Sequence, residues 1–428
     1  MLTAITGINW GDEGKGRMVD LLSQEYDIVC RYQGGNNAGH TVVNPRGKFV
    51  LNLLPSGILR SNVVCVMGNG MVVDPAHLEK EIANLREKGI EISPKNLKIS
   101  DRATICMPYH VAEDGLEEDR LAKSGSQYGS TRRGIAYAYG DKYMKKTLRM
   151  GDLVHLDEAV KKRLATIVEW KNLTMEDIYG TQPISLEETW AWCQHYAEVF
   201  KDYICDVGDY LTEADKNGKK ILFEAQLGAL RDIDFGIYPF TSSSNVIGAY
   251  APIGAGIPGR KLDLSVGIMK AYSSCVGEGP FTAELAMTEE QKNELRLAGH
   301  EFGAATGRPR RVGPFDVVAS RYGVACQGAD ELALTLLDVL DYMEKIPVVA
   351  HYSVNGEIVD RFPMGEALDI AQPVLEYLPG WHCDITAARK WEDLPKEAQD
   401  YVNYIEKAVG CRIAYISVGP DRDACIRR

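Results

Sequence analysis

The sequence predicts an α/β fold, a large central and mainly parallel sheet flanked by helices. Three observations predict it. Short apolar, β-branched runs recur along the chain and end in polar, glycine-containing turns. Amphipathic helical stretches alternate with those runs, the pattern that builds parallel sheets. The 428 residues, 45% hydrophobic and 25% charged, are enough for a large buried core.

Bulk properties narrow the function. A net charge of −12 argues against non-specific binding to nucleic acid or anionic membrane. The ten cysteines form no C-x-x-C pair and no metal-ligand spacing, and they lie in apolar runs, as reduced, buried thiols do. No basic segment followed by an apolar stretch opens the chain, and no apolar run is long enough to span a bilayer. A cytoplasmic protein is expected. No repeat or long linker divides residues 1–428, which read as a single domain with a mainly helical peripheral region around 152–217.

The first element is the run Leu2 to Ile8, a buried strand. A glycine-rich loop follows, Gly11-Asp12-Glu13-Gly14-Lys15-Gly16-Arg17, and a helix is expected from Arg17 to Leu22. Backbone N–H groups in such a loop close around an anion, and the helix N-terminus adds its positive dipole end. The fold is P-loop-NTPase-like without a true Walker A motif. Asn9 stands where that pattern needs its first glycine, and Gly16 where it needs Ser or Thr. Two acids, Asp12 and Glu13, lie inside the loop, which suggests metal binding or proton abstraction beside phosphates.

A second strand, Ile28 to Tyr32, runs into Gln33-Gly34-Gly35-Asn36-Asn37-Ala38-Gly39-His40-Thr41. Glycines and amides around one histidine favour close ligand approach and a chemical role for His40. Strands are expected at Lys48–Leu54, Val63–Met67 and 96–107. A helix from Ala76 to Lys88 is capped by Asp74-Pro75, and a short acidic helix covers Asp114 to Leu121. The stretch Ser124 to Ile135 is rich in Gly and hydroxyls and carries Arg132 and Arg133, which suits phosphate recognition. Later strands are expected at Lys220–Glu224, Val348–Tyr352 and Arg412–Pro420, with a helix at Pro395–Val409. Gly254 to Gly259 matches G-x-G-x-x-G formally, but Pro258 sits where a helix would form, so a loop is expected. Ala304-Ala305-Thr306-Gly307-Arg308-Pro309-Arg310-Arg311 is the strongest basic signal and reads as an anion clamp.

The stretches Trp10 to Gly16 and Asn36 to Thr41 reproduce two long motifs, W-G-D-E-G-K-G and N-N-A-G-H-T, and by them the chain resembles the adenylosuccinate synthetase family over nearly its whole length. The resemblance implies GTP-dependent joining of IMP and L-aspartate, with Mg²⁺ as cofactor and a homodimer as the working form. It implies Asp12 as the base and His40 as the acid, with Asp12 and the Gly39 carbonyl as metal ligands. It places GTP against Gly11 to Arg17, Gly39 to Thr41, Arg310, Leu336, Leu337, Asp338, and Ser417, Val418 and Gly419. It places IMP against Asp12, Glu13, Gly14, Lys15, Asn37 to His40, Thr131, Lys145, Gln226, Ser242 and Arg308. Ala304, Ala305, Thr306, Gly307, Arg308, Pro309 and Arg310 then hold aspartate.

Some positions depart from the family pattern. Arg132 replaces a glycine. Lys145 stands where an arginine reaches across the dimer to the partner's nucleotide. Gln226 comes one position early, Ser242 replaces a threonine, Ala305 a frequent threonine and Leu336 a lysine. A carboxylate at 338 still suits guanine, since it accepts from both N1–H and the exocyclic amine. Two other readings stay open: a relative that uses GMP or dGMP, and a non-catalytic nucleotide-binding paralogue. The intact Asp12 weighs against the first, and Asp12 with His40 against the second.

Overall fold

The computed structural model describes residues 1–44, 47–126, 128–303, 307 and 309–428. Its centre is a ten-stranded sheet. In chain order the strands are β1 (Leu2–Gly7), β2 (Ile28–Arg31), β3 (Val64–Met67), β4 (Leu97–Ser100), β5 (Ile204–Cys205), β6 (Ile221–Glu224), β7 (Leu264–Lys270), β8 (Glu331–Thr335), β9 (Ile413–Ser417) and β10 (Cys425–Arg427). In space the order is β10-β9-β8-β7-β1-β6-β2-β3-β4-β5. Every neighbouring pair is parallel except β9 with β10.

β1 lies mid-sheet and is buried at every position. Its alternate side chains serve different cores: Leu2 and Ala4 pack with Cys30, Val66 and Phe223, whereas Ile5 packs with Val29, Cys65 and Leu222. Burial on both faces is why apolar residues fill successive positions of β1 rather than alternate ones, with only Thr3 and Thr6 between them. Helices cover both faces. α1 (Lys15–Leu22) follows β1 directly. α2 (Pro75–Glu87) starts as expected: the Asp74 carboxylate accepts from the His77 N–H at 3.1 Å, Pro75 occupies the first turn, and Leu78, Ile82 and Leu85 are buried. Each such leucine or isoleucine contributes roughly 1.5–3 kcal/mol of burial. α3 (Pro108–Ala122) and α4 (Ile135–Met144) flank the glycine- and hydroxyl-rich stretch, and α5 (Glu158–Leu173), α6 (Leu186–Phe200) and α7 (Val207–Lys216) make the helical region at 152–217.

Several expectations need correction. Residues 96–107 form two strands rather than one: β4 belongs to the main sheet, and Thr104–Ile105 pairs with Val72–Val73 after a turn at 101–103. The acidic helix begins at Pro108, six residues before Asp114, because proline at the first turn starts a helix that the acid count alone did not reveal. The strand expected to run to Leu54 ends at Leu51, as one arm of a hairpin with His40–Asn44. The last expected strand, Arg412–Pro420, is shorter, Ile413–Ser417, and β10 pairs outside it. All ten cysteines are unpaired, and Cys383 is exposed rather than buried.

Candidate active site

The loops that leave the C-terminal ends of β1, β2, β6, β8 and β9 meet along one edge of the sheet, where open α/β folds place their ligands. The loop after β1 is folded by its own acid. Glu13 is buried and accepts from the backbone N–H of Asn9 at 3.1 Å and Gly11 at 2.8 Å. Its other oxygen pairs with the buried Lys15 ammonium at 2.5 Å. Asp12, by contrast, points outward with φ of 58°, and its carboxylate lies 3.4 Å from the Arg310 guanidinium. The two acids of the loop therefore divide: Glu13 organises the turn from inside, and Asp12 stays outside it beside Arg310. Gly14 caps α1 at φ 97°, and the Thr335 hydroxyl at the end of β8 donates to the Glu13 carbonyl at 2.7 Å.

Gly16 explains how His40 joins this loop. A Cβ at position 16 would lie 2.9 Å from the His40 Cβ, so only glycine lets the helix start and the histidine pack together. His40 is buried, and its Nδ1 donates to Glu224 Oε1 at 2.5 Å. The Ser56 N–H and hydroxyl donate to the same carboxylate at 2.7 and 2.6 Å. Burial raises the Glu224 carboxyl, but His40, Arg31 and Ser56 outweigh burial and hold it below the ordinary value. A carboxylate on Nδ1 fixes the ring and its tautomer and leaves acid–base work to Nε2. Glu224 was missed in the sequence. Its only signal is a charged residue ending an otherwise apolar strand.

A second part of this edge is built from α1, the turn after β8 and the turn after β9. Arg17 donates to the Ser417 hydroxyl and the Asp421 carbonyl at 2.5 Å each, tying the first helix to the last parallel strand. Leu336 adopts φ of 60° and starts the short helix Leu337–Leu340 that carries Asp338. Asp338 Oδ1 is buried and accepts no hydrogen bond among the described residues. Burial raises its carboxyl, Asp341 and Asp384 add to the rise, and Arg17 opposes it. An unpartnered buried acceptor fits a ligand that brings paired N–H donors.

The remaining residues are more dispersed. Thr131 and Lys145 are exposed, Lys145 at the C-cap of α4 with φ of 62°. Arg132 is paired with Asp119 at 2.6 Å. Asp114, also missed, shapes this loop by accepting from the Ser130 hydroxyl at 2.5 Å and the Gly134 N–H at 2.8 Å. The Ser242 and Ser244 hydroxyls bond at 2.8 Å, and Ser244 donates to Gln33 at 3.0 Å, joining two loops of the site. Arg310 is held by the buried Glu301 at 2.9 Å, which also accepts from Lys270 and Tyr272 at 2.6 Å each. Gly307 and Pro309 are described, whereas Ala304, Ala305, Thr306 and Arg308 lie outside the described residues.

Comparison with known proteins agrees with this geometry. The family model for adenylosuccinate synthetase matches residues 4–426. An adenylosuccinate synthetase of Caldanaerobacter subterraneus is 44% identical over 426 residues, covering 99% of this chain and 98% of that protein. One from Dehalococcoides mccartyi is 41% identical, covering 99% of each. The fully ligated adenylosuccinate synthetase of Plasmodium falciparum superposes with a TM-score of 0.92 at 35% identity, covering 100% of this chain and 99% of that one. A cyanophage succinoaminodeoxyadenylate synthetase shares the fold alone, with a TM-score of 0.59 at 19% identity over 99% and 94% of the two chains. A loop folded by Glu13 with Asp12 turned outward, a histidine seated on Gly16, and a family match from end to end together place this chain in the adenylosuccinate synthetase family.

Proposed function

We propose that Asp12 and His40 carry the chemistry by which this family member joins IMP and L-aspartate into adenylosuccinate, a GTP-dependent step of purine nucleotide synthesis. The single observation that carries the assignment is the pairing of an outward carboxylate on the loop with a carboxylate-oriented imidazole packed on the same loop. The C6 oxygen of a purinone is a poor leaving group. Asp12 takes the N1 proton as O6 attacks the γ-phosphorus of GTP. The His40 Nε2–H stabilises charge on the transferring group, and GDP departs. The aspartate amine then adds at C6 of the 6-phosphoryl intermediate, and phosphate leaves with the C–O bond.

The other assignments rest on the same frame. Amides of residues 12–17 and Lys15 hold phosphates, the Gly11 N–H being spent on Glu13, while Asp338 with Leu336, Leu337 and Ser417 to Gly419 holds guanine, and the 304–310 loop holds aspartate. The residues fit Mg²⁺. Asp12 already stands beside a cation, Arg310, and the donors on offer are a carboxylate and the Gly39 carbonyl, hard oxygens as Mg²⁺ requires. Among the described residues no cluster of three or more His, Cys, Asp or Glu gathers to hold a metal by itself. Bound there, Mg²⁺ would neutralise phosphate charge. We assign a homodimer in which Lys145 reaches the partner's IMP. Its exposure at a helix end beside exposed Tyr143 and Met144 supports this. Residues 1–428 act as one unit in the cytoplasm, which unpaired cysteines support.

Absorbance-monitored turnover with IMP, L-aspartate, Mg²⁺ and either GTP or ATP tests the reading. Turnover with GTP and little with ATP is expected. Equal rates would overturn the role of Asp338, and nucleotide binding without turnover would favour a non-catalytic binder.

A further inference from the structure

Gln226 does not reach the site mouth. It is fully buried, and its carboxamide lies over Gly34, where a Cβ would stand 2.0 Å from Gln226 Cδ and Nε2. The chain then turns at Leu227, φ 61°, so that Leu227 and not Gln226 packs beside Gly11. Both ends of the carboxamide are engaged. Arg31, fully buried at the end of β2, donates to Gln226 Oε1, and Gln226 Nε2 donates to Asn37 Oδ1 at 2.8 Å.

The direction of this chain is forced. A guanidinium has only donors, so the carboxamide must turn Oε1 to it. Nε2 must then face Asn37, and Asn37 must answer with Oδ1. The Asn37 Nδ2 donors are left on the other side. The backbone around Asn37 is fixed without Gln226: Asn36 Nδ2 donates to Asp74 at 3.0 Å, and Asn52 Nδ2 donates to the Ala38 carbonyl at 2.6 Å. Asn52 is itself held, since its backbone carbonyl accepts from Arg31 Nη1. Only the rotation of one amide remains to be set, and Arg31 sets it through Gln226.

We propose that Arg31 and Gln226 are a positioning pair that holds the half-buried Asn37 carboxamide with its Nδ2 donors toward IMP, so that position 37 reads an acceptor such as a phosphate oxygen. Gln226 then acts through Asn37 rather than by touching the nucleotide. The inference rests on the assignment of Asn37 to the IMP pocket.

The test is a double-mutant cycle on the full-length enzyme with Q226E, N37A and the double variant, read as KM for IMP, KM for GTP and kcat. A carboxylate at 226 pairs with Arg31, so the fold is kept and a thermal melt confirms it. It offers no N–H, so Asn37 must reverse and turn Oδ1 to IMP. Q226E is expected to raise the KM for IMP about tenfold or more, leaving the KM for GTP and kcat within about twofold. Q226M, which frees Asn37 to rotate, is expected to raise it less. In the N37A background Q226E should add less than about twofold. Multiplying penalties would mean that Gln226 meets the nucleotide directly, and an unchanged KM in Q226E would also overturn the relay. Wild-type turnover without dependence on IMP would instead overturn the site reading, and the relay with it.

Discussion

Asp12 and Glu13 are adjacent carboxylates with opposite fates, and position on the loop decides between them. Glu13 is 2% exposed and bonded to two backbone amides and Lys15, whereas Asp12 sits at positive φ with its carboxylate in reach of a cation. Asp12→Asn is therefore expected to fold normally and lose turnover by at least about a hundredfold, because an amide cannot take the N1 proton. Near-normal steady-state rates in the purified variant would remove Asp12 as base. Glu224→Gln keeps an acceptor for His40 Nδ1 but removes the charge that stabilises an imidazolium. A fall in kcat of about tenfold or more with little change in KM is expected. Equal loss in KM would show that Glu224 shapes the pocket rather than tuning His40.

At the scale of elements, α3, α4 and α5 are held by a buried polar cluster that no motif announced. Lys171 of α5 lies 2.8 Å from Glu113 of α3 and 2.7 Å from Asp141 of α4. His110 accepts from the Met107 N–H on Nδ1 at 3.0 Å and donates from Nε2 to Asp141 at 2.8 Å, so the ring is neutral. The cluster anchors both ends of the loop bearing Thr131 and the helix bearing Lys145. Lys171→Ala strands two buried carboxylates and is expected to lower the unfolding free energy by about 3 kcal/mol in denaturant titration. Lys171→Ala with Glu113→Leu should recover part of it, and no recovery would assign the loss to packing. Burial pushes His110 down to about 4, the Asp141 contact opposing it and Lys171 adding to the fall. A depressed histidine keeps its stabilisation above the unfolded value near 6.5 and loses it as pH falls toward 4. The slope is at most about 1.4 kcal/mol per pH unit. Thermal melts across that window should fall less steeply for His110→Gln than for the wild type, and parallel curves would refute the assignment.

At the scale of the whole molecule, the site is incomplete on one side if Lys145 acts in trans. Sedimentation is expected to give a dimer, and Lys145→Ala to raise the KM for IMP about tenfold while leaving the KM for GTP unchanged. A fully active monomer would contradict both. No helix among the described residues is long and apolar enough to cross a membrane. What the sequence by itself determined is local. Apolar β-branched runs announced the parallel strands, because a strand buried on both faces favours apolar residues at successive positions, with the charged Arg31 and Glu224 kept to the strand ends. Glycines flanking Asp12, Lys15 and His40 announced the turns, because only glycine reaches φ values such as the 97° of Gly14 or tolerates the approach of His40 to Gly16. The tertiary structure decided everything that depends on partners distant in sequence. Glu224 lies 184 positions from His40, and Gln226 lies 195 from Arg31. A carboxylate or amide becomes an orienting group only when its partner is brought beside it in a dry site. That is set by strand order, since β6 inserts between β1 and β2, and no local pattern encodes which strand will be the neighbour.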